Sequence, residues 1–232
     1  MNIVITGAAR GIGKAIAKAF AVEGNTIFLC ARNDDTLKAT AVEIKNLNPS
    51  ATIHHFVADL SKKNDADSFA AFCLAKAVPD ILINNAGGFV PGNILDEPDG
   101  NLETMLTNNL YSAYFITRKL APAMKEKGDG HIFNICSIAA KKAYDGGGSY
   151  SISKFAMDGF SQNLRHELMP FGVKVTTLFP GAVFTDSWAG FDNSTNRIMQ
   201  TEDVAKMILA CTKLSPSAVP EEILLRPQLG DL

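Results

Sequence analysis

Thr6-Gly7-Ala8-Ala9-Arg10-Gly11-Ile12-Gly13 lies between a short apolar run, Asn2-Ile3-Val4-Ile5, and an amphipathic stretch over 12–23. A strand, a glycine turn and a helix in that order form an anion site. Glycines let the chain reverse sharply and approach phosphate oxygens, and the first turn of a helix has N–H groups with no partner inside the helix. A lone glycine pattern is a weak sign, so its strand-helix setting is what gives it weight. The spacing Gly7-x3-Gly11-x-Gly13 differs from Gly-x-Gly-x2-Gly, the commoner dinucleotide form.

The same alternation continues to the end of the chain. Apolar runs at 2–6, 26–30, 52–57, 80–84, 131–136, 173–179 and 222–226 read as strands. Helical patterns lie between them at 12–23, 34–47, 65–77, 101–126, 150–170 and 201–213. Several strands are apolar on both faces, as in sheets covered on both sides. The expected fold is α/β: one Rossmann-type domain over 1–232, with a seven-stranded parallel sheet, helices on both faces and right-handed crossovers. Ala156, Phe160, Leu164 and Leu168 recur every four residues as one apolar stripe. Gly87-Gly88, Pro91-Gly92 and Gly146-Gly147-Gly148 read as loops at strand ends, where an open sheet binds its ligand.

Hydrophobic content of 47% and charged content of 20% exclude a disordered chain. A net charge of −2, with no basic run longer than two, offers no footprint for nucleic acid. No apolar stretch is long enough to span a bilayer, and a strand starting at Asn2 leaves no room for a signal peptide. Cys30, Cys73, Cys136 and Cys211 are scattered, which suits reduced thiols and a cytoplasmic protein. His54 and His55 flank the third strand, His131 opens the fifth and His166 lies on a helix. None has metal-ligand spacing, so no metal site is expected.

Tyr150-Ser151-Ile152-Ser153-Lys154 places a phenol and an ammonium one helical turn apart on one face. A phenol titrates near pH ~10, and a nearby cation brings it closer to neutrality. Ser137 closes a strand thirteen residues before Tyr150, in Asn134-Ile135-Cys136-Ser137. Asn109 lies in Leu106-Thr107-Asn108-Asn109-Leu110, beside a second asparagine. Each of the four has an ordinary structural reading when taken alone. Together with the glycine turn, and in this order, they point to an enzyme that moves a hydride and a proton.

Along nearly its whole length the chain resembles the short-chain dehydrogenase/reductase family. Besides the glycine turn and the Tyr-x3-Lys pair, Asn84-Asn85-Ala86-Gly87 matches the family's segment after the fourth strand. Asp59-Leu60 matches the adenine-contacting position, and Pro180-Gly181 through Val183 and Thr185 matches the segment along the nicotinamide. The resemblance implies that Gly7, Ala9, Arg10, Gly11, Ile12, Gly13, Arg32, Asp59, Leu60, Asn85, Ala86, Gly87, Pro180, Gly181, Val183 and Thr185 contact the cofactor. It makes Tyr150 the general acid in reduction and the base in oxidation, with Ser137 steadying the substrate oxygen. Lys154 would lower the phenol's pKa and bind the nicotinamide ribose. Asn109 would hold a proton-relaying water through its backbone.

The second strand ends Leu29-Cys30-Ala31-Arg32-Asn33, with alanine where an NAD site usually places an acid. Arg32 is a planar cation suited to a 2′-phosphate, and Arg10 could add a second. Asp34 and Asp35 sit at a helix start, where carboxylates cap N–H groups. By resemblance the pattern favours NADP(H) over NAD(H), although Arg32 also reads as a solvated surface arginine.

Phe89, Ala139, Tyr144, Phe184, Trp188 and Phe191 are candidate linings of a fairly open pocket for a neutral or partly apolar carbonyl or secondary alcohol. Lys141 and Lys142 are the only basic candidates for an acidic substrate. The subgroups most resembled are 3-oxoacyl-carrier-protein reductases and sepiapterin-reductase-like members. A homodimer or homotetramer is implied, paired through the helices near 101–126 and 150–170. The competing readings are a catalytically silent NADP-binding scaffold or regulatory protein, and a methyltransferase, which would give Tyr150 and Lys154 no purpose.

Overall fold

A computed structural model describes residues 1–231. Its strands are β1 (Asn2–Thr6), β2 (Thr26–Ala31), β3 (Thr52–Val57), β4 (Ile81–Asn84), β5 (Gly130–Ile135), β6 (Val173–Pro180) and β7 (Glu222–Leu225). All are parallel, in the order β3-β2-β1-β4-β5-β6-β7. The helices are α1 (Gly11–Phe20), α2 (Asp34–Leu47), α3 (Lys63–Leu74), α4 (Asn101–Leu106), α5 (Ser112–Lys127), α6 (Gly148–Leu168) and α7 (Thr201–Cys211).

Successive strand residues face opposite layers. Ile3, Ile5, Ile27, Leu29 and Ile83 pack with Ile16, Phe20, Leu37, Ile44 and Ile208 of α1, α2 and α7. Val4, Phe28, Leu82, Ile132 and Val175 pack with Phe69, Ile116, Leu120 and Met124 of α3 and α5. Each such side chain contributes about 1.5–3 kcal/mol on burial. β4 and β5 are buried along their whole length, which is why they read as continuous apolar runs. β3 is an edge strand, and His54 and His55 lie within it rather than beside it.

The helix expected over 101–126 runs right-handed from Asn101 to Lys127, with one π-helical turn at Thr107–Tyr111 between α4 and α5. Asn109, at the centre of that turn, is 1% exposed. Its Nδ2 donates to Ser153 Oγ at 2.9 Å and its Oδ1 accepts from the Gly88 N–H at 2.7 Å. These long-range bonds hold a turn that local propensity does not favour. On α6, the stripe of Ala156, Phe160 and Leu164 is only half-buried. The face turned to the sheet carries Ser153, Lys154, Met157 and Ser161. Polar groups are tolerated there because they are paired: Asn134 Nδ2 donates to Ser161 Oγ at 2.8 Å, and Ser161 donates to the Met157 carbonyl at 2.7 Å.

Buried His131 stacks on Phe133 with ring centroids 3.9 Å apart and bonds Thr176 Oγ1 through Nε2 at 2.7 Å. Burial, with Lys174 adding, lowers its pKa from 6.5 to about 3. Below pH 6.5 an unfolded chain takes up a proton that the native state refuses, so stability falls as pH drops from 6.5 towards 3. The loss approaches about 1.4 kcal/mol per pH unit. His131→Gln is expected to flatten this acid decline in urea melts at pH 7 and at mildly acid pH, relative to wild type. An unchanged slope would show that the ring titrates normally.

The strand order reverses between β1 and β4, and above the carboxyl ends at such a switch point an open parallel sheet has its binding crevice. Among the described residues no group of three or more His, Cys, Asp or Glu is placed to hold a metal ion. No described helix is long and apolar enough to cross a membrane. All four cysteines are free and buried.

Candidate active site

The loops after β1 and β4 are tied together at the point of reversal. The buried Thr6 hydroxyl donates to the Ile83 carbonyl at 3.2 Å and accepts from the N–H groups of Asn85 and Ala86, each at 2.9 Å. Asn85 Nδ2 returns bonds to the Thr6 and Gly7 carbonyls at 3.0 and 3.1 Å. Gly7 has φ +64°, and a Cβ there would come within 2.9 Å of Ala86 Cα. At Gly13 a Cβ would collide with the Gly7 carbonyl, so the turn closes only with glycine at both positions.

The first turn of α1 has no capping side chain and no carboxylate. Its N–H groups and the positive end of the helix dipole face the crevice edge, which suits a pyrophosphate. Lys154 offers a second fit. It is 7% exposed, yet its ammonium, with three donors, has one protein acceptor, the Ile135 carbonyl at 3.2 Å. Hydroxyl groups of a ribose would fill the rest. A Cβ on Gly87 would lie 2.6 Å from Asn109 Oδ1 and 3.8 Å from Lys154 Nζ, which places this loop, Asn109 and Lys154 together.

The other candidate cofactor residues lie at or just beyond the carboxyl ends of β1, β2, β3 and β6. Ala9 accepts from Thr40 Oγ1 at 2.9 Å, and Ala9 and Ile12 pack on the core layer of α1. Arg32 follows β2 and is exposed, and Asn33 caps α2 by accepting from the Thr36 N–H at 2.9 Å. Asp34 pairs with Lys38 at 2.7 Å. Asp59 accepts from Ser61 Oγ at 2.7 Å, while the Leu60 side chain is buried and leaves its backbone for any contact. Pro180 ends β6 and the Gly181 N–H donates to the Leu225 carbonyl at 2.8 Å. Val183 is buried and bridges to Met199, and Thr185 sits over the turn, where a Cβ on Gly11 would be 3.4 Å from its methyl.

Ser137, Tyr150 and Lys154 come together at the end of β5 and the start of α6. Lys154 Nζ lies 5.7 Å from the Tyr150 ring centroid. The electrostatics depart from expectation. Burial pushes the Tyr150 phenol up to about 12, the Ser137 hydroxyl beside it opposes the rise, and Cys136 adds to it. Lys154 does not lower the phenol here. Its own pKa is pushed down by burial, because desolvation disfavours the charged ammonium. Tyr144 also borders the site; burial, with Tyr150 adding, raises it to about 12.

The pocket lining is partly as expected. Phe89 packs edge-on against Tyr150, with centroids 4.9 Å apart, and Ala139 is buried behind Ser137. Trp188 instead faces a cavity of about 440 Å³ beside α1, lined also by Gly11, Lys14, Lys18, Phe184 and Thr201. An ion pair between Arg10 and Asp186, at 2.9 Å, holds the loop near the glycine turn. Trp188 packs edge-on against Phe191 with centroids 5.4 Å apart. Lys141 is unavailable to an acidic substrate, since it pairs with Asp158 at 3.1 Å and Glu222 at 2.9 Å.

Sequence reasoning missed Thr6, Ser153 and Glu97. A lone hydroxyl at the end of an apolar strand was a usable signal for Thr6. Ser153, which donates to the Tyr150 carbonyl at 2.7 Å, lay inside the Tyr-x3-Lys segment. Glu97 had no local signal.

A parallel sheet with a glycine turn at its point of reversal defines the Rossmann class of dinucleotide-binding folds. The family model described as short chain dehydrogenase matches residues 1–196, and the chain belongs to that family of oxidoreductases. It is 30% identical to a sepiapterin reductase of Chlorobaculum tepidum, covering 99% of this chain and 97% of that one. An alcohol dehydrogenase from the archaeon Thermococcus sibiricus, solved with 5-hydroxy-NADP, superposes with a TM-score of 0.90 at 26% identity, over 98% of this chain and 96% of that one. A 7α-hydroxysteroid dehydrogenase solved with NADH and 7-oxo-glycochenodeoxycholic acid gives 0.88 at 29% identity, over 99% and 94%.

Proposed function

We propose that this chain is one catalytic domain that reduces a neutral, partly apolar carbonyl compound to a secondary alcohol using NADP(H). The observation that carries the reading is the grouping of Ser137, Tyr150 and the under-paired, buried Lys154 beside the crevice. The relatives solved with 5-hydroxy-NADP and with NADH support a nicotinamide cofactor, and Arg32 favours the 2′-phosphorylated form. Phe89 and Tyr144, each about two-fifths exposed, give the crevice an apolar rim. Exposed Tyr111, Tyr114, Ile152 and Phe155 on the π-turn, α5 and α6 support pairing into a homodimer or homotetramer. The buried, unpaired thiols suit the cytoplasm.

When bound, the cofactor supplies a hydride to the substrate carbon. Ser137 donates a hydrogen bond to the carbonyl oxygen and stabilises the charge that develops there. Tyr150, which carries its proton at neutral pH, transfers it to the same oxygen. Lys154 holds the ribose hydroxyls and stabilises the phenolate left behind. Asn109 keeps the Gly88 backbone and the Ser153 hydroxyl in place around the pair.

The test is NADPH consumption by purified protein with a panel of ketones, aldehydes, quinones and acyl thioesters. At least one apolar carbonyl is expected to be turned over, with matching alcohol formed. Tight NADPH binding with no turnover across the panel would instead favour a silent nucleotide-binding protein.

A further inference from the structure

Building on the reading of Tyr150 as proton donor, we infer that Glu97, on the loop between β4 and α4, is a positioning residue that sets the start of α6 and hence the phenol. α6 has no cap of its own: Gly147 precedes it and has no side chain to offer. Glu97 fills that role from 52 residues away. One carboxylate oxygen accepts from Ser149 Oγ, and the other accepts from the Ser149 N–H at 3.4 Å. Ser149 is 1% exposed and directly precedes Tyr150. A carboxylate here pairs an otherwise orphaned N–H and faces the positive end of the helix dipole.

Three more contacts keep this bracket stiff. The Glu97 N–H donates to the Asn93 carbonyl at 2.8 Å, which fixes the turn carrying the carboxylate. Asn93 Oδ1 accepts from the Gly146 N–H at 2.9 Å, and the Gly92 N–H donates to the Gly146 carbonyl at 3.0 Å. Approach is so close that a Cβ on Gly148 would collide with the Gly92 carbonyl. Phe89, at the near end of the loop, packs edge-on against the Tyr150 ring. The loop therefore holds Tyr150 by its ring and by the backbone just before it. Glu97 acts through Ser149.

Steady-state kinetics of Glu97→Ala, Glu97→Gln, Ser149→Ala and the Glu97→Ala/Ser149→Ala double variant test this, with rates expressed per NADPH-binding site. Glu97→Ala is expected to lower kcat roughly 10- to 100-fold, the scale on which a displacement of about 1 Å acts. KM for NADPH should stay near wild type. Glu97→Gln keeps an acceptor oxygen for Ser149 and should recover most of the loss. The double variant should be no slower than the slower single one, because both residues act through one contact. A wild-type kcat per site in Glu97→Ala and Ser149→Ala, equal losses in Ala and Gln, or additive losses in the double variant would overturn the inference. Tyr150→Phe run alongside separates the two levels. If it retains wild-type turnover, the proton-donor reading fails; if it is inactive while Glu97→Ala is not impaired, only the role of Glu97 fails.

Discussion

Tyr150→Phe is expected to lower kcat for carbonyl reduction by about 10²- to 10⁴-fold, the usual worth of a positioned general acid. The ring survives the change, so its edge-on packing with Phe89 survives too. What disappears is a hydroxyl that lies beside Ser137 and holds its proton firmly. NADPH affinity should be nearly unchanged, because the glycine turn and Lys154 are untouched. The measurement is kcat and KM for wild type and variant against one carbonyl substrate, with NADPH binding measured separately. Retention of wild-type turnover would place the proton donor elsewhere.

Arg32→Ala is expected to weaken NADPH binding roughly 10- to 100-fold, the effect of losing a hydrogen bond to a charged group. NADH binding should change little. Arg32 is exposed and follows directly on β2; Asn33 caps α2, Asp34 is tied to Lys38, and Asp35 lies in the first turn of α2. Arg10 is the weaker candidate because its guanidinium pairs with Asp186. An exposed charge pair is screened by salt, so the comparison belongs at low ionic strength and should shrink as salt rises. Equal weakening of NADPH and NADH would defeat the 2′-phosphate argument.

The sheet was legible because its central strands are buried on both faces and so read as unbroken apolar runs. The edge strands β3 (Thr52–Val57) and β7 (Glu222–Leu225) were legible as well. The π-helical turn between α4 and α5 could not be read locally, since it is held by Asn109 bonding Ser153 at a separation of 44 residues. The same burial distinguishes Asn109 from half-buried Asn108. The apolar stripe on α6 packs at the margin of the core through Phe160, Leu164 and Leu168, while the sheet-facing side is built from paired serines, Met157 and a lysine. Residue spacing indicated that Tyr150 and Lys154 are neighbours, and they are. It carried no information on how strongly the site desolvates both groups, and burial is what pushes the phenol up rather than down. Glu97 reaches Ser149 only through the fold.

The central claim is that the Tyr150 phenol becomes a usable acid–base group when Lys154 and the oxidised nicotinamide lie beside it. Its most direct test is an ultraviolet-difference titration of the protein saturated with oxidised NADP, taken as wild type minus Tyr150→Phe to isolate one phenol. Without cofactor that group lies at about 12, pushed up mainly by burial and held back by the Ser137 hydroxyl. The account predicts that in the complex it titrates below the ordinary phenol value of 10, and that Lys154→Met returns it above 10. A Tyr150 phenol that still titrates at or above its ordinary value with oxidised cofactor bound would contradict the account.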